Sequence, residues 1–297
     1  MFTKGDRKIR ETMKEVRWAI ITGADGGMGT EITRAVAEAG YHVLMACYQP
    51  KKAEGIRQQL VKETGNPHLE VLAIDLSSMD SVISFANEVI KRNLSVSLLM
   101  NNAGTMETGL HITTDGFERT VSVNYLGPFL LTHKLLPILV PGARIVNMVS
   151  CTYAIGHLDF PDFYLRGKKG RFFRIPVYSN TKLALMLFTL ELSDRLKDKE
   201  ITVNAADPGI VSTNIITMHQ WFDPLTDILF RPFIRTPRQG AETAIGLLLN
   251  AKEAGVTGQL YASSRRKVLS EKYIRHMQKK QLWEETEHLL QRWLNKY

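Results

Sequence analysis

Seven short runs of β-branched or apolar residues alternate along the chain with longer amphipathic stretches, the pattern of βα units that stack into a parallel sheet. The runs predict strands over Trp18–Thr22, His42–Cys47, Glu70–Asp75, Val96–Asn101, Arg144–Ser150, Ile201–Ala206 and Gln259–Ala262. Helices are predicted over Met28–Ala39, Lys51–Thr64, Met79–Lys91, Asp115–Leu139, Tyr178–Lys197, Arg238–Asn250 and Ser270–Asn295, with Gly40 and Gly65 as stops. One repeating pattern over 297 residues implies a single α/β domain, 1–297, whose doubly wound parallel sheet of about seven strands carries helices on both faces. Residues 151–177 and 212–237 fit neither element and read as long loops over the carboxyl ends of the strands, where open parallel sheets bind ligands.

The net charge of +8 sits at the two ends. Residues 1–17, a basic N-terminal extension, hold six Lys/Arg against three Asp/Glu, and residues 265–297, a basic C-terminal helical extension, hold nine against four. The stretch between is neutral overall, although Arg166, Lys168, Lys169, Arg171 and Arg174 form an acid-free cluster. No zinc-finger, RNA-recognition or helix-turn-helix signature accompanies this charge, so no nucleic-acid partner is expected. Two cysteines, Cys47 and Cys151, are too few for a disulfide framework, which fits a reducing, cytoplasmic compartment. No apolar run reaches the roughly 18–20 residues of a membrane span, and no signal-peptide core is expected. The eight histidines show no paired ligand spacing, so no metal is expected.

Chemistry concentrates in a few motifs. Thr22-Gly23-Ala24-Asp25-Gly26-Gly27-Met28-Gly29 lies between a predicted strand and a predicted helix, where backbone N–H groups can meet a pyrophosphate and glycines allow close approach. Further along come Asp75-Leu76, Asn101-Asn102-Ala103-Gly104, Asn124, Ser150, Tyr178 with Lys182, and Pro208-Gly209 followed by Val211 and Thr213. Taken singly, each has a bland reading: a flexible turn, a strand end, or an exposed pair four apart on a helix. In this order they resemble the short-chain dehydrogenase/reductase family, from about Trp18 to Tyr261. The resemblance implies a Rossmann-type fold, with Asn124, Ser150, Tyr178 and Lys182 as a catalytic tetrad. It implies dinucleotide contacts at Gly23, Asp25, Gly27, Met28 and Gly29, at adenine through Asp75 and Leu76, and at Asn102, Ala103 and Gly104. Tyr178, Lys182, Pro208, Gly209, Val211 and Thr213 complete that set.

Reducing a carbonyl takes a hydride and a proton. A free tyrosine titrates near pH 10, so the nearby Lys182 cation is expected to favour the phenolate. Ser150 would hold the substrate oxygen for Tyr178, which acts as acid in reduction and base in oxidation. The resemblance further implies that Lys182 contacts the nicotinamide ribose and that Asn124 holds a water joining Lys182 to solvent. For the cofactor, an acid normally ends the second strand of an NAD-selective site. Here Ala46-Cys47-Tyr48-Gln49-Pro50 carries none, so NADP(H) is favoured over NAD(H), with Tyr48, Lys51 and Lys52 nearest the 2′-position.

Ile145-Val146-Asn147, the long insertion before Tyr178 and Leu282-Trp283-Glu284 resemble the retinol-dehydrogenase-like branch. Departures are Tyr48 where the branch commonly has arginine, Val149 where it has a serine, and Asp207 where histidine is common. Phe160, Phe163, Tyr164, Phe172, Phe173, Trp221 and Phe222 in the long loops suggest a medium to large apolar carbonyl or alcohol as substrate. A C-terminal helix with Tyr273, Met277, Trp283, Leu289 and Trp293 is expected to pack on the protein itself or a second subunit, a peripheral membrane contact being the other reading. The resemblance implies a homo-oligomer. A different class, a dinucleotide-binding regulatory or scaffold protein without turnover, shares the fold but has no need of Tyr178.

Overall fold

The computed structural model describes residues 16–160, 162–164, 172–211 and 235–296. Thr213, Trp221, Phe222, Arg166, Lys168, Lys169 and Arg171 lie outside the described residues.

Strands β1 (Trp18–Thr22), β2 (His42–Cys47), β3 (Leu69–Ala73), β4 (Val96–Asn101), β5 (Leu139–Met148), β6 (Thr202–Asp207), β7 (Leu260–Ala262) and β8 (Arg265–Lys267) form one sheet in the order β3-β2-β1-β4-β5-β6-β7-β8. All neighbours are parallel except β7 and β8. Strand order reverses between β1 and β4, so the chain leaves a crevice at their carboxyl ends. Alternation along β1 decides the layers. Ile20 faces a core shared with α3 (Met79–Lys91), α4 (Arg119–Val121, a π turn at Ser122–Leu126, then Gly127–Leu135) and α5 (Arg174–Arg195). Ala19 and Ile21 face the other core, under α1 (Gly27–Glu38), α2 (Pro50–Thr64) and α6 (Pro237–Leu249).

Several boundaries differ from the sequence expectation. The eighth strand, β8, was expected as part of a helical extension. It folds back on β7 through Ser263 and Ser264, both left-handed (φ 52° and 56°), a two-residue hairpin turn built without glycine. Arg235 Nη2 donates to Ser263 Oγ at 2.6 Å, and Ser264 N to Thr243 Oγ1 at 3.0 Å, fixing that turn. The fourth helix starts at Arg119 rather than Asp115 because buried Glu118 caps it, accepting from Val121 N at 2.9 Å. The fifth begins one turn early, at Arg174.

The predicted C-terminal helix is two, α7 (Glu271–Ile274) and α8 (Gln278–Leu294), with α8 lying across α3, α4 and α5. Trp283 stacks on Phe188 with ring centroids 5.8 Å apart, and Trp293 Nε1 donates to Asp80 at 3.0 Å. The Thr286 hydroxyl donates to Leu282 O at 2.7 Å and so accepts from Tyr125 OH (2.8 Å) and Tyr164 OH (3.0 Å). This helix therefore packs on the protein's own core, with Met277 left exposed ahead of it. Among the described residues no helix is long and apolar enough to cross a membrane.

Candidate active site

At the crevice, the loop from β1 to α1 is closed on itself. Gly23 is left-handed (φ 61°) and its N donates to Ala46 O at 2.8 Å. A Cβ on Gly29 would sit 2.0 Å from Gly23 O, so only glycine fits there. The end of β4 is stitched to this turn: Thr22 Oγ1 accepts from Asn102 N and Ala103 N, each at 3.0 Å, and Asn102 Nδ2 donates to Thr22 O at 2.9 Å. The first turn of α1 has no side-chain cap and no acid, and Gly27 and Met28 lie within it. Its N–H groups and the positive end of its dipole are left for an anion, which fits the pyrophosphate of a dinucleotide.

Beside the turn runs a cleft of about 230 Å³, lined by Gly23, Asp25, Ala46, Tyr48, Asp75, Leu76, Ala103 and Gly104 among others. Among these, Asp75 and Leu76 are the residues expected to meet adenine, Tyr48 the one expected nearest the ribose 2′-position, and Gly23, Asp25, Ala103 and Gly104 are further expected dinucleotide contacts, whereas Ala46 was not singled out from sequence. Lys51 and Lys52, expected at a 2′-phosphate, instead stand exposed on the first turn of α2, outside the cleft lining, because the helix turns them to solvent. Pro208 is buried and Gly209 is left-handed (φ 75°), with its N donating to Asp207 Oδ1 at 2.9 Å. Val211 bridges to Arg235, so this segment is tied to the start of α6.

Ser150, Tyr178, Lys182 and Asn124 meet at the carboxyl ends of β5 and β6. Ser150 acts on the Tyr178 phenol as a hydrogen-bonding group that lowers its pKa. Lys182 Nζ is buried, donates to Met148 O at 2.9 Å and lies 5.4 Å from the centroid of the Tyr178 ring. Asn124 sits in the π turn of α4, a register shift often found at functional sites. Its side chain is held at both ends: Oδ1 accepts from Thr105 N (2.8 Å), and Nδ2 donates to Thr105 O (2.8 Å) and Thr181 Oγ1 (3.1 Å).

Electrostatics also departs from expectation. Burial pushes the Tyr178 phenol up to about 12, the Ser150 hydrogen bond pulls it back, and the charge of Asp207 raises it. Burial pulls Lys182 down to about 8, against Asp207, which raises it. The expected lowering of Tyr178 by Lys182 does not dominate: burial is the leading cause for both groups, and it acts against the charged form of each.

The loop aromatics divide. Phe163 and Tyr164 are buried in the core against Tyr125 and α8, and the half-buried Phe160 and Phe172 are packed on that core. Phe173 stays 57% exposed. Arg174 is no free surface cation: its Nε donates to Met106 O at 3.2 Å. Sequence reasoning missed Asn147. Its Oδ1 accepts from Asn101 Nδ2 at 2.7 Å and its Nδ2 donates to Thr189 Oγ1 at 2.9 Å, a buried polar chain beneath the site. Asn101 is accordingly a strand residue in that chain rather than a turn former.

Glycine turn, strand order and the Ser150–Tyr178–Lys182 cluster define an α/β dinucleotide-fold protein with oxidoreductase geometry. A family model described as short chain dehydrogenase matches residues 17–162 and 165–220, and the chain belongs to that family. It is 34% identical to retinol dehydrogenase 13 of Mus musculus over 280 residues, covering 91% of this chain and 83% of the relative. With retinol dehydrogenase 11 of Homo sapiens it shares 38% identity over 229 residues, 76% of this chain and 70% of the relative. Among solved structures, an uncharacterized protein from Mycobacterium paratuberculosis superposes with a TM-score of 0.74 at 27% identity, covering 93% of this chain and 94% of the other. The chain is thus an oxidoreductase of the alcohol/carbonyl class, similar to retinol dehydrogenases.

Proposed function

We propose that the protein interconverts an alcohol and a carbonyl on a medium to large apolar substrate, using a nicotinamide dinucleotide, with Tyr178 as acid and base. The observation that carries this reading is the buried Lys182 ammonium 5.4 Å from the Tyr178 ring, with Ser150 acting on the phenol, in a fold whose first helix starts uncapped. When bound, the nicotinamide supplies or accepts the hydride. Ser150 anchors the substrate oxygen. Tyr178, protonated through neutral pH because burial raises it to about 12, is in the form that gives a proton, which favours reduction. Lys182, fixed by the Met148 carbonyl, keeps a cation against the ring as negative charge develops on the phenol oxygen. Asn124 holds the Thr105 backbone and Thr181 in place.

Apolar substrate character is supported by Ile155, Phe173, Ile175 and Ile210, exposed apolar side chains on the segments that also carry Ser150, Tyr178 and Gly209. Two free thiols, Cys47 and Cys151, agree with a cytoplasmic setting. A homo-oligomer belongs to the same proposal and is read by light scattering. Sequence alone favours NADP(H); the choice between NADP(H) and NAD(H) turns on the charges lining the cleft.

Oxidation of NADH and NADPH across ketones, aldehydes and quinones tests the proposal, with Tyr178→Phe as control. Turnover lost in Tyr178→Phe, with dinucleotide binding retained, is the expected result. Equal turnover in both proteins refutes the role of Tyr178.

A further inference from the structure

NAD(H) and NADP(H) differ at one place, the 2′-oxygen of the adenosine ribose, which is a hydroxyl in one and a phosphate in the other. In doubly wound sheets an acid at the end of the second strand meets the hydroxyl and repels the phosphate. This chain has none there: β2 ends at Cys47, followed by Tyr48, Gln49 and Pro50.

The fold brings a carboxylate to the same spot from another element. Asp25, in the turn between β1 and α1, lines the cleft together with Gly23, Ala46 and Tyr48. Its carboxylate is within hydrogen-bonding reach of the buried Cys47 thiol at the very end of β2. That thiol is pushed up to about 12, first by burial and then by the charge and hydrogen bond of Asp25, so it stays a neutral S–H that can donate to the carboxylate. Asp25 is thereby held beside the strand end, and among the described residues it has no ion-pair partner.

The surrounding charges agree. Among the described residues three acids, Asp25, Asp75 and Glu107, line the cleft against one cation, Arg119. Arg119 Nε lies 3.7 Å from Glu107 Oε1, so its charge is matched within the cleft. Asp75 Oδ1 is taken up by Ser77, accepting from its N at 2.8 Å and its Oγ at 2.6 Å.

We propose that Asp25 stands in for the absent strand-end acid: its carboxylate accepts a hydrogen bond from a ribose 2′-hydroxyl and repels a 2′-phosphate, so the site selects NAD(H) over NADP(H). The proposal deepens the dinucleotide reading of the cleft and rests on it, but not on which carbonyl is reduced.

Equilibrium titration of the full chain with NADH and NADPH, read by nicotinamide fluorescence, tests this without turnover. The wild type is expected to bind NADH at least roughly tenfold more tightly at low ionic strength, with the gap narrowing as salt screens the repulsion. Asp25→Asn keeps the size and loses the charge, and should shrink the preference by roughly tenfold, mainly through tighter NADPH binding. Tyr48→Arg adds a cation at the same place and should shift the ratio the same way, which keeps the test open if Asp25→Asn misfolds. A wild type that prefers NADPH overturns the proposal, as does an unchanged ratio in a folded Asp25→Asn. Binding of neither dinucleotide defeats the underlying reading and this proposal with it. NADH selectivity without turnover of any carbonyl supports the proposal and counts against the enzyme reading alone.

Discussion

Asp207 offers the most direct way to move the chemistry without touching the reacting groups. It ends β6, is only 7% exposed, and pairs in register with Ala262 of β7, while Ala206 beside it accepts from Val149 N, next to Ser150. Its negative charge acts on both Tyr178 and Lys182 in the same direction, raising each, though in both cases burial is the larger cause. Asp207→Asn removes the charge and keeps an oxygen to accept the Gly209 N–H, now at 2.9 Å. A like or opposite charge at close range moves a pKa by about one unit or more, and the low end applies where burial leads. Lys182 should then fall from about 8 by roughly one unit, and Tyr178 from about 12 by a similar amount.

The sign follows from which form does the work. With Tyr178 as the proposed acid, carbonyl reduction needs Tyr178 protonated and Lys182 charged, so its rate should fall as pH rises through about 8 in the wild type. In Asp207→Asn that limb should lie roughly one unit lower, while alcohol oxidation, which needs the phenolate, gains at a given alkaline pH. The assay is kcat/KM against pH in both directions, with circular dichroism to confirm folding. A purely structural role for Asp207 lowers the rate at every pH and leaves the limb where it was. That result would refute the electrostatic reasoning.

Three stability predictions accompany it. Thr286→Val leaves the phenolic hydrogens of Tyr125 and Tyr164 without their shared acceptor and should cost about 2–4 kcal/mol, seen as a lower urea midpoint and faster hydrogen exchange in α8. Asn147→Ala cuts the buried chain from Asn101 to Thr189 and should cost about 2–3 kcal/mol in the same melt. Ser264→Gly relieves a left-handed residue in the hairpin between β7 and β8 and should stabilise by about 0.5–1 kcal/mol, a rise of roughly 1–2 °C by calorimetry. No change, or a loss, on Ser264→Gly would mean that the turn is not strained.

What could be read in advance, and what could not, follows the range over which each signal acts. The parallel sheet and its layers were legible because burial of one face imposes a period on neighbouring residues, as in β1, where Ile20 and its neighbours Ala19 and Ile21 go to opposite cores. The glycine turn was legible because close approach leaves only glycine at Gly29. Strand β8 was not, since Arg265, Arg266 and Lys267 carry no apolar alternation; their pairing is set by a turn whose serines show no hairpin signature and which Arg235 and Thr243 hold from a distance. Nor was Asn147, whose partners are 46 and 42 residues away in sequence.

Charge is where the gap between pattern and structure matters most. The run after β2 shows lysines and no acid, which argues for a phosphate at the ribose. Helix geometry turns Lys51 and Lys52 to solvent, and the turn after β1 sets Asp25 at the cleft, two placements that the local sequence does not show. Asp207 repeats the lesson at the other end of the crevice. A residue that departs from the family pattern sits where its charge reaches both Tyr178 and Lys182, adding to the larger effect of burial on the phenol and opposing it on the ammonium.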